Sequence, residues 1–328
     1  VLTGDNEAVT RHVAHHVGLD DSSLLSGAEL SALDSSSLAQ RADAVTLFVK
    51  LTPQQKVDVI RALQEKGHVV GYLGDGINDA SALKAADVGI SVDTASDIAK
   101  ESADVILLRK SLMVVSEGVH EGRCVFANIR KYLRMSASSN FGNMLSVLGA
   151  SILLPFLPMA PVQILMNNLL YDFSQTTLAS DHVDAELIRE PRRWNIAEVG
   201  RAMVVLGPIS SLFDYLTFAL LWYGVLASAG VFQTGWFIES LLSQTLIVHI
   251  IRTEKMPLLE SRPSPLLLAT SGLVCLLALW LPVSPLANAL GFTPMPAAYW
   301  LGLPLILLSY LATVQLLKKA CLFTENSS

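Results

Sequence analysis

Along the first hundred or so residues, apolar positions come in short runs separated by polar stretches. "VTLFV" (45–49), "HVVGYL" (68–73), "DVGISV" (87–92) and "ADVILL" (103–108) are brief, rich in β-branched residues and bounded by turn-formers, which predicts strands. Between the first two, "PQQKVDVIRALQEKG" (53–67) sets Val57, Ile60 and Leu63 on one helical face and stops at Gly67. Pro53 suits the first turn of that helix, where a missing N–H would have had no partner. Strand, helix, strand in this rhythm predicts a mostly parallel, Rossmann-like α/β sheet covered by helices, over residues 1–129. From about residue 130 the runs lengthen. A helix of roughly 20 apolar residues crosses a bilayer, and six such spans are expected at about 136–155, 162–179, 202–225, 236–251, 265–282 and 298–317. This predicts an all-α six-helix membrane domain over 130–328, the second and fourth spans being short and polar-rich. Residues 111–135 repeat apolar positions at helical spacing without Pro, or Gly beyond Gly122, and predict a stiff stalk helix into the first span.

Charge sharpens this division. Hydrophobic residues make up 52% of the chain and charged residues 16%. Residues 1–129 hold 11 Lys/Arg and 18 Asp/Glu, an acidic balance of soluble style. All 12 later Lys/Arg fall within Arg130–Arg134, Arg189–Arg201, Arg252–Arg262 and Lys318–Lys319, which the six spans place on one side. The loops "PFLPMAP" (155–161), "SAGVFQT" (228–234) and "PVSPLANALGFTPMP" (282–296) carry no charge. By the positive-inside rule, this predicts a multi-pass protein of the cell membrane with both ends of the chain cytoplasmic. A net charge of −6 argues against nucleic acid as a partner. Cys124, Cys275 and Cys321 lack CxxC spacing and predict no disulfide framework. The opening "VLTGDN" reads as the end of a strand already under way, so a fragment is expected.

Candidate chemistry falls where strands end, the place working residues occupy in such sheets. "LTGD" (2–5) offers the Thr3 hydroxyl, the Gly4 amide and Asp5. Lys56 lies on the first turns of the 53–67 helix and can reach a phosphate oxygen; the plainer reading is a solvated surface lysine. "GDGIND" (74–79) follows a strand and starts a helix. Its glycines let the backbone bend, Asp75 is a hard oxygen ligand of the kind Mg²⁺ takes, and Asn78 and Asp79 can cap the helix or orient Asp75. In the membrane part, Asn140 and Asn143 lie in the first span, Asn168 and Asp172 in the second, Asp214 in the third and Glu239 in the fourth. An ionisable group at mid-bilayer is costly and often marks an ion path; the plainer reading is hydrogen-bonding between helices. His12 and His16 have metal-friendly spacing but no third ligand, and read as surface residues.

Together, LTGD, Lys56 and GDGIND resemble motifs two to four of the haloacid dehalogenase superfamily, in the form carried by P-type cation-transporting ATPases. Leu73 and Ser81 depart from the residues usual beside GDGxND. The resemblance implies that Thr3 and Lys56 contact a phosphoryl group, with Gly4 and Asp5 in the same motif. It implies that Asp75 binds a catalytic Mg²⁺, with Asn78 and Asp79 in support and Asp79 a second candidate ligand. The family carries its phosphate on the aspartate of a DKTGT motif. None occurs in the 328 residues, so the nucleophile is expected upstream and this chain alone is expected to be inactive towards ATP. The six spans resemble the last six of ten, not the heavy-metal branch, and the family's transport site maps to Asn140, Asn143, Asn168 and Asp172, with Asp214 and Glu239 as further candidates. Calcium pumps have an acidic residue at the position of Asn143 and Thr at that of Tyr171. "SSNFGNM", "NNLLYDFSQ", "GPISSLFDYLTF" and "GWFIESLLSQTL" are similar to bacterial Mg²⁺-importing ATPases. The expected partners are therefore the bilayer, a transported cation (Mg²⁺) and the amino-terminal half of the pump. A pump for Ca²⁺, Na⁺/K⁺ or H⁺, or a membrane-tethered phosphatase, stands as the alternative.

Overall fold

The structure, a computed structural model, describes residues 1–109 and 111–321. The chain divides into two compact units, Val1–Val119 and the residues from His120 onward, ten residues earlier than the hydropathy pattern suggests.

The first unit runs α1 (Glu7–His16), β1 (Leu24–Ser26), α2 (Gly27–Ser31), α3 (Ser35–Ala42), β2 (Leu47–Val49), α4 (Pro53–Glu65), β3 (Gly71–Leu73), α5 (Ala80–Ala85), β4 (Val88–Val92), α6 (Asp97–Ser102) and β5 (Val105–Leu107). All four expected strands form, each shorter than its apolar run. The unexpected β1 is three residues long and ends on Ser26, which also caps α2 in a capping box with Glu29. Every pairing is parallel, as expected, but the strands make two sheets rather than one. β1 pairs with β2, whose other edge takes Leu2, and β3, β4 and β5 form the second sheet.

Helix α4 joins the two sheets. Thr52 and Gln55 cap it reciprocally and Pro53 opens it. Its Val59 and Ala62 pack with Leu25 and Phe48 of the first sheet, while Ile60 packs with Tyr72, Ala82 and Leu83 beside the second. A helix wedged in this way carries its first-turn Lys56 into the interior.

The second unit is helical: α7 (Leu112–Leu153), α8 (Pro161–Thr176), α9 (Ala185–Ile188), α10 (Ile196–Ala219), α11 (Ala229–Ile251), α12 (Pro265–Trp280) and α13 (Ala297–Cys321). The expected stalk and first span are one 42-residue helix, α7, which crosses the division between the units. Among the described residues four helices are long and apolar enough to cross a membrane: Ile196–Gly224, Ala229–Ile251, Pro265–Val283 and Ala297–Lys318. The first two expected spans are helical but fall outside that set, α8 having only 16 residues. The fourth span begins seven residues earlier than expected, at Ala229.

Helix α11 is central. Of its most apolar stretch 89% is buried in the protein, against 22% for α13. A helix enclosed by protein can carry polar groups all round, and α11 buries Glu239, Ser240, Ser243, Gln244 and Thr245. Helices α7 and α10 meet at Gly142 and Gly207: a Cβ on Gly207 would lie 2.6 Å from the Phe141 ring, and Ser211 Oγ donates to Gly142 O at 2.8 Å.

The charged segments gather at one end of this unit. Asp181, 5% exposed, accepts from Lys131 Nζ (3.0 Å), Arg252 Nη1 (2.9 Å) and the Ser264 amide (3.1 Å). Glu198 pairs with Arg130 and Arg134. The buried Lys318 ammonium donates to the carbonyls of Ile250, Thr253 and Lys255, closing the C-terminus of α11. The uncharged loops meet one another elsewhere: Gln163 Nε2 donates to Leu290 O and Gly291 O, Gln233 Nε2 to Leu157 O, and the Thr293 amide to Thr234 Oγ1.

Removing one member of a buried ion pair costs about 3–5 kcal/mol, because the partner charge stays buried. Asp181→Ala strands both Lys131 and Arg252, and should lower the thermal unfolding midpoint in detergent sharply. Glu186→Ala removes only the exposed pair with Lys255 and should leave the midpoint in place.

Candidate functional site

At the end of β3 the chain turns through Gly74, Asp75 and Gly76 into a short 3₁₀ turn, Ile77–Asp79, and then α5. Asp79 folds back under that turn. Its Oδ1 accepts from Lys56 Nζ and Tyr72 Oη, each at 2.7 Å, and its Oδ2 from the Gly76 amide at 3.2 Å. The close approach requires glycine at 74, where a Cβ would lie 2.6 Å from Asp79 Cβ. Burial opposes the Asp79 charge, but the hydrogen bonds from Lys56, Tyr72 and Gly76 outweigh it and hold the carboxyl below its ordinary 3.8. Burial, and then the Asp79 carboxylate, push the Tyr72 phenol well up, so Tyr72 remains a donor throughout the ordinary pH range.

This geometry revises the expected roles. Lys56 is 8% exposed and ion-paired, not a solvated surface lysine. Asp79 does not cap α5 with its side chain; with both oxygens engaged and an ammonium beside it, Asp79 is a poor metal ligand. Asp75 is exposed on the turn and lines a cavity of about 270 Å³ with Leu73, Val92, Leu107 and Ser111. Asn78 is exposed on the same turn. Thr3 is tied to its own motif: its hydroxyl donates to Asp5 Oδ2 and accepts from the Asp5 amide, both at 3.1 Å. Gly4 is exposed in that turn, and Asp5 O accepts from the Lys50 amide after β2. Tyr72 was missed. Its signal is a lone phenol in an otherwise aliphatic strand, two residues before the glycine turn.

In the helical unit a cavity of about 290 Å³ is lined by Asn140 and Asn143 of α7, Asn167 and Asn168 of α8, and Trp236 and Ser240 of α11. Three of the four asparagines and aspartate expected at the transport site therefore come together. Asp172 does not join them. The buried stripe of α8 passes through Gln163, Asn167, Tyr171, Ser174 and Gln175, and Asp172, one residue beyond Tyr171, is turned outward and exposed. Asp214 and Glu239 are also absent from the lining. They are 3% and 1% exposed; Asp214 accepts from Ser146 Oγ (2.5 Å) and Trp236 Nε1 (2.9 Å).

Ser240 of the lining and Gln244, which lies behind it on α11, were not singled out from sequence. Gln244 Nε2 donates to Asn143 Oδ1 at 3.0 Å and to Ser240 Oγ at 2.6 Å. Their signal is polar positions recurring every three or four residues in "GWFIESLLSQTL". Among the described residues no group of three or more His, Cys, Asp or Glu could hold a metal. The rings of His12 and His16 lie 5.5 Å apart, tilted by 39°.

The family described as "haloacid dehalogenase-like hydrolase" matches residues 1–87, and that described as "Cation transporting ATPase, C-terminus" matches residues 156–320, just over half the chain. A Salmonella typhimurium protein named "Magnesium-transporting ATPase, P-type 1" is 50% identical over 323 residues, 97% of this chain and 36% of the relative. The Escherichia coli K12 protein of the same name is 51% identical over 322 residues, with the same coverage. A "Calcium-transporting ATPase" of Bacillus subtilis is 30% identical over 263 residues, 77% of this chain and 30% of the relative. The chain spans about a third of the length of these curated relatives. Its amino-terminal unit is haloacid dehalogenase-like, its remainder is helical, and the chain belongs to the cation-transporting ATPases.

Proposed function

We propose that these residues are the carboxy-terminal part of an ATP-driven pump that moves Mg²⁺ into the cytoplasm through an aspartyl-phosphate intermediate. The observation that carries this reading is the amide-lined cavity among apolar helices, in the same chain as a strand-end turn of phosphate-handling type. A tethered phosphatase would have no use for the cavity. The names of the relatives at 50% and 51% identity favour Mg²⁺, and so does the lining: Mg²⁺ dehydrates reluctantly and keeps several waters, which neutral amides can hold without trapping the ion.

In this reading the second half of α7, α8 and the four helices apolar and long enough to cross a membrane make six spans, and the end where the charged segments gather is cytoplasmic. Asp75 is the residue that would hold the catalytic Mg²⁺. Its exposed carboxylate beside an open cavity suits an ion bound through one or two carboxylates, which when bound neutralises phosphate charge. Lys56 meets the phosphoryl oxygens, held by Asp79, which Tyr72 and the Gly76 amide fix in turn, so that little reorganisation is needed. Thr3 and the Gly4 amide add donors. The 328 residues contain no Asp-Lys-Thr-Gly-Thr, so another part of the pump supplies the acceptor aspartate. Asp172 becomes a cation ligand once further spans cover its side of α8, since an ionised group facing lipid would be costly.

In the complete pump, Lys56→Ala should lower acid-stable, hydroxylamine-sensitive label from γ-labelled ATP by about a hundredfold; label at wild-type level would remove Lys56 from the site. Asp79 stabilises the first unit fully above pH 3.8, and that contribution disappears as pH falls through its lower folded value. Asp79→Asn should therefore cost stability at neutral pH and narrow its gap to wild type in acid, read from denaturation midpoints against pH. Asn168→Ala and Asp172→Asn should each raise the half-saturating external Mg²⁺ for uptake by about tenfold. Unchanged uptake in Asp172→Asn would take Asp172 out of the ion path.

A further inference from the structure

Gln244 lies on α11 one turn beyond Ser240 and is 4% exposed. Its Nε2 ties two residues of the cavity lining, Asn143 on α7 and Ser240 on its own helix. Its Oε1 is buried without a hydrogen-bond partner, and so is Nδ2 of Asn167 in the same lining. A buried acceptor left unpaired is costly and calls for a reason.

An amide side chain has a donor end and an acceptor end of nearly the same shape, so a half-turn exchanges them. If Gln244 makes that half-turn, Oε1 takes the place of Nε2. It then accepts from the Ser240 hydroxyl, and from Asn143 Nδ2 if Asn143 turns as well. The two amides thus have two self-consistent arrangements. In the one observed, the Asn143 oxygen is engaged by Gln244. In the other, Oε1 is paired, Nε2 takes over the unpaired position, and the Asn143 oxygen is released towards the cavity. A divalent cation is drawn to that oxygen and repelled by an amide N–H, so it favours the second arrangement.

We propose that Gln244 is a positioning residue that sets which end of the Asn143 amide meets the cavity, making entry of a divalent cation and a paired turn of the two amides a single event. The inference rests on reading the cavity as the transport site. It adds a basis for selectivity: an ion that interacts too weakly to drive the turn meets a donor.

The test uses the complete pump as the sole Mg²⁺ route of a cell. Uptake is measured against external Mg²⁺ with and without Ca²⁺ as competitor, and normalised to phosphoenzyme level. Gln244→Glu in its ionised form has only acceptors and fixes the released arrangement. Its half-saturating Mg²⁺ should fall about tenfold, with stronger competition by Ca²⁺. Gln244→Met keeps the size but neither polar end, and should raise half-saturation about tenfold with the maximal rate retained. Adding Asn143→Ala to Gln244→Glu should abolish the gain, which a merely structural role for Gln244 would not predict. If Gln244→Met does not fold, Gln244→Glu still decides. Wild-type half-saturation and Ca²⁺ competition in Gln244→Glu would overturn the inference while leaving the pump reading intact. Absence of Mg²⁺ uptake by the wild-type pump would overturn both.

Discussion

A carboxylate taken out of water has to be met by donors, and Asp181 is met by three. Lys131 from α7, Arg252 from the end of α11 and the Ser264 amide at the start of α12 converge on its two oxygens. Each of these partners is itself buried, so none of the three helix ends can move independently without stranding a charge. The same rule operates at Asp79, where Lys56, Tyr72 and the Gly76 amide converge. It operates again at Asp214, whose two oxygens accept from Ser146 and Trp236. Much of the architecture in both units is organised by these three acids.

That rule also explains why the helical cavity is lined by amides. Asp214 of α10 is engaged by Ser146 and Trp236 and, like Glu239 of α11, lies outside the lining, while the asparagines of α7 and α8 face the open space. An amide can be buried with only part of its hydrogen-bonding capacity satisfied at a far lower cost than a charge. A neutral lining therefore persists in an empty cavity, where a cluster of carboxylates would have to take up protons or counter-ions. The Gly142–Gly207 approach brings α7 and α10 close enough for Ser146 to reach Asp214. Backbone packing thus helps decide which acids stay out of the cavity.

Several features were legible in the residue pattern because they follow from local rules. Pro53 opens α4 where expected, and the structure adds the Thr52–Gln55 cap beside it, since helix starts depend on neighbours within one turn. The segments rich in Lys and Arg meet at one end of the helical unit and the uncharged loops meet elsewhere. That follows from alternation of direction through successive helices. The glycine turn after β3 was equally plain, and Gly74 leaves room beside Asp79 that no other residue would.

What sequence could not decide was which face of each element is covered. Lys56 was expected to reach a phosphate, but by itself it could equally read as a surface lysine; α4 is wedged between two sheets, and the burial of Lys56 is a property of the whole unit. Asp172 read as grouped with Asn168, four residues away, but the stripe of α8 that packs inward runs through Tyr171 and leaves Asp172 outside. Gln244 carried no motif, and became visible only once α11 was enclosed and its amide lay 3.0 Å from Asn143. The sequence by itself determined the elements, the turn chemistry and the segregation of charge, each set within a few residues of chain. Only the tertiary structure decided which polar groups meet, because in a packed interior a donor's partner is chosen by burial and proximity, not by distance along the chain.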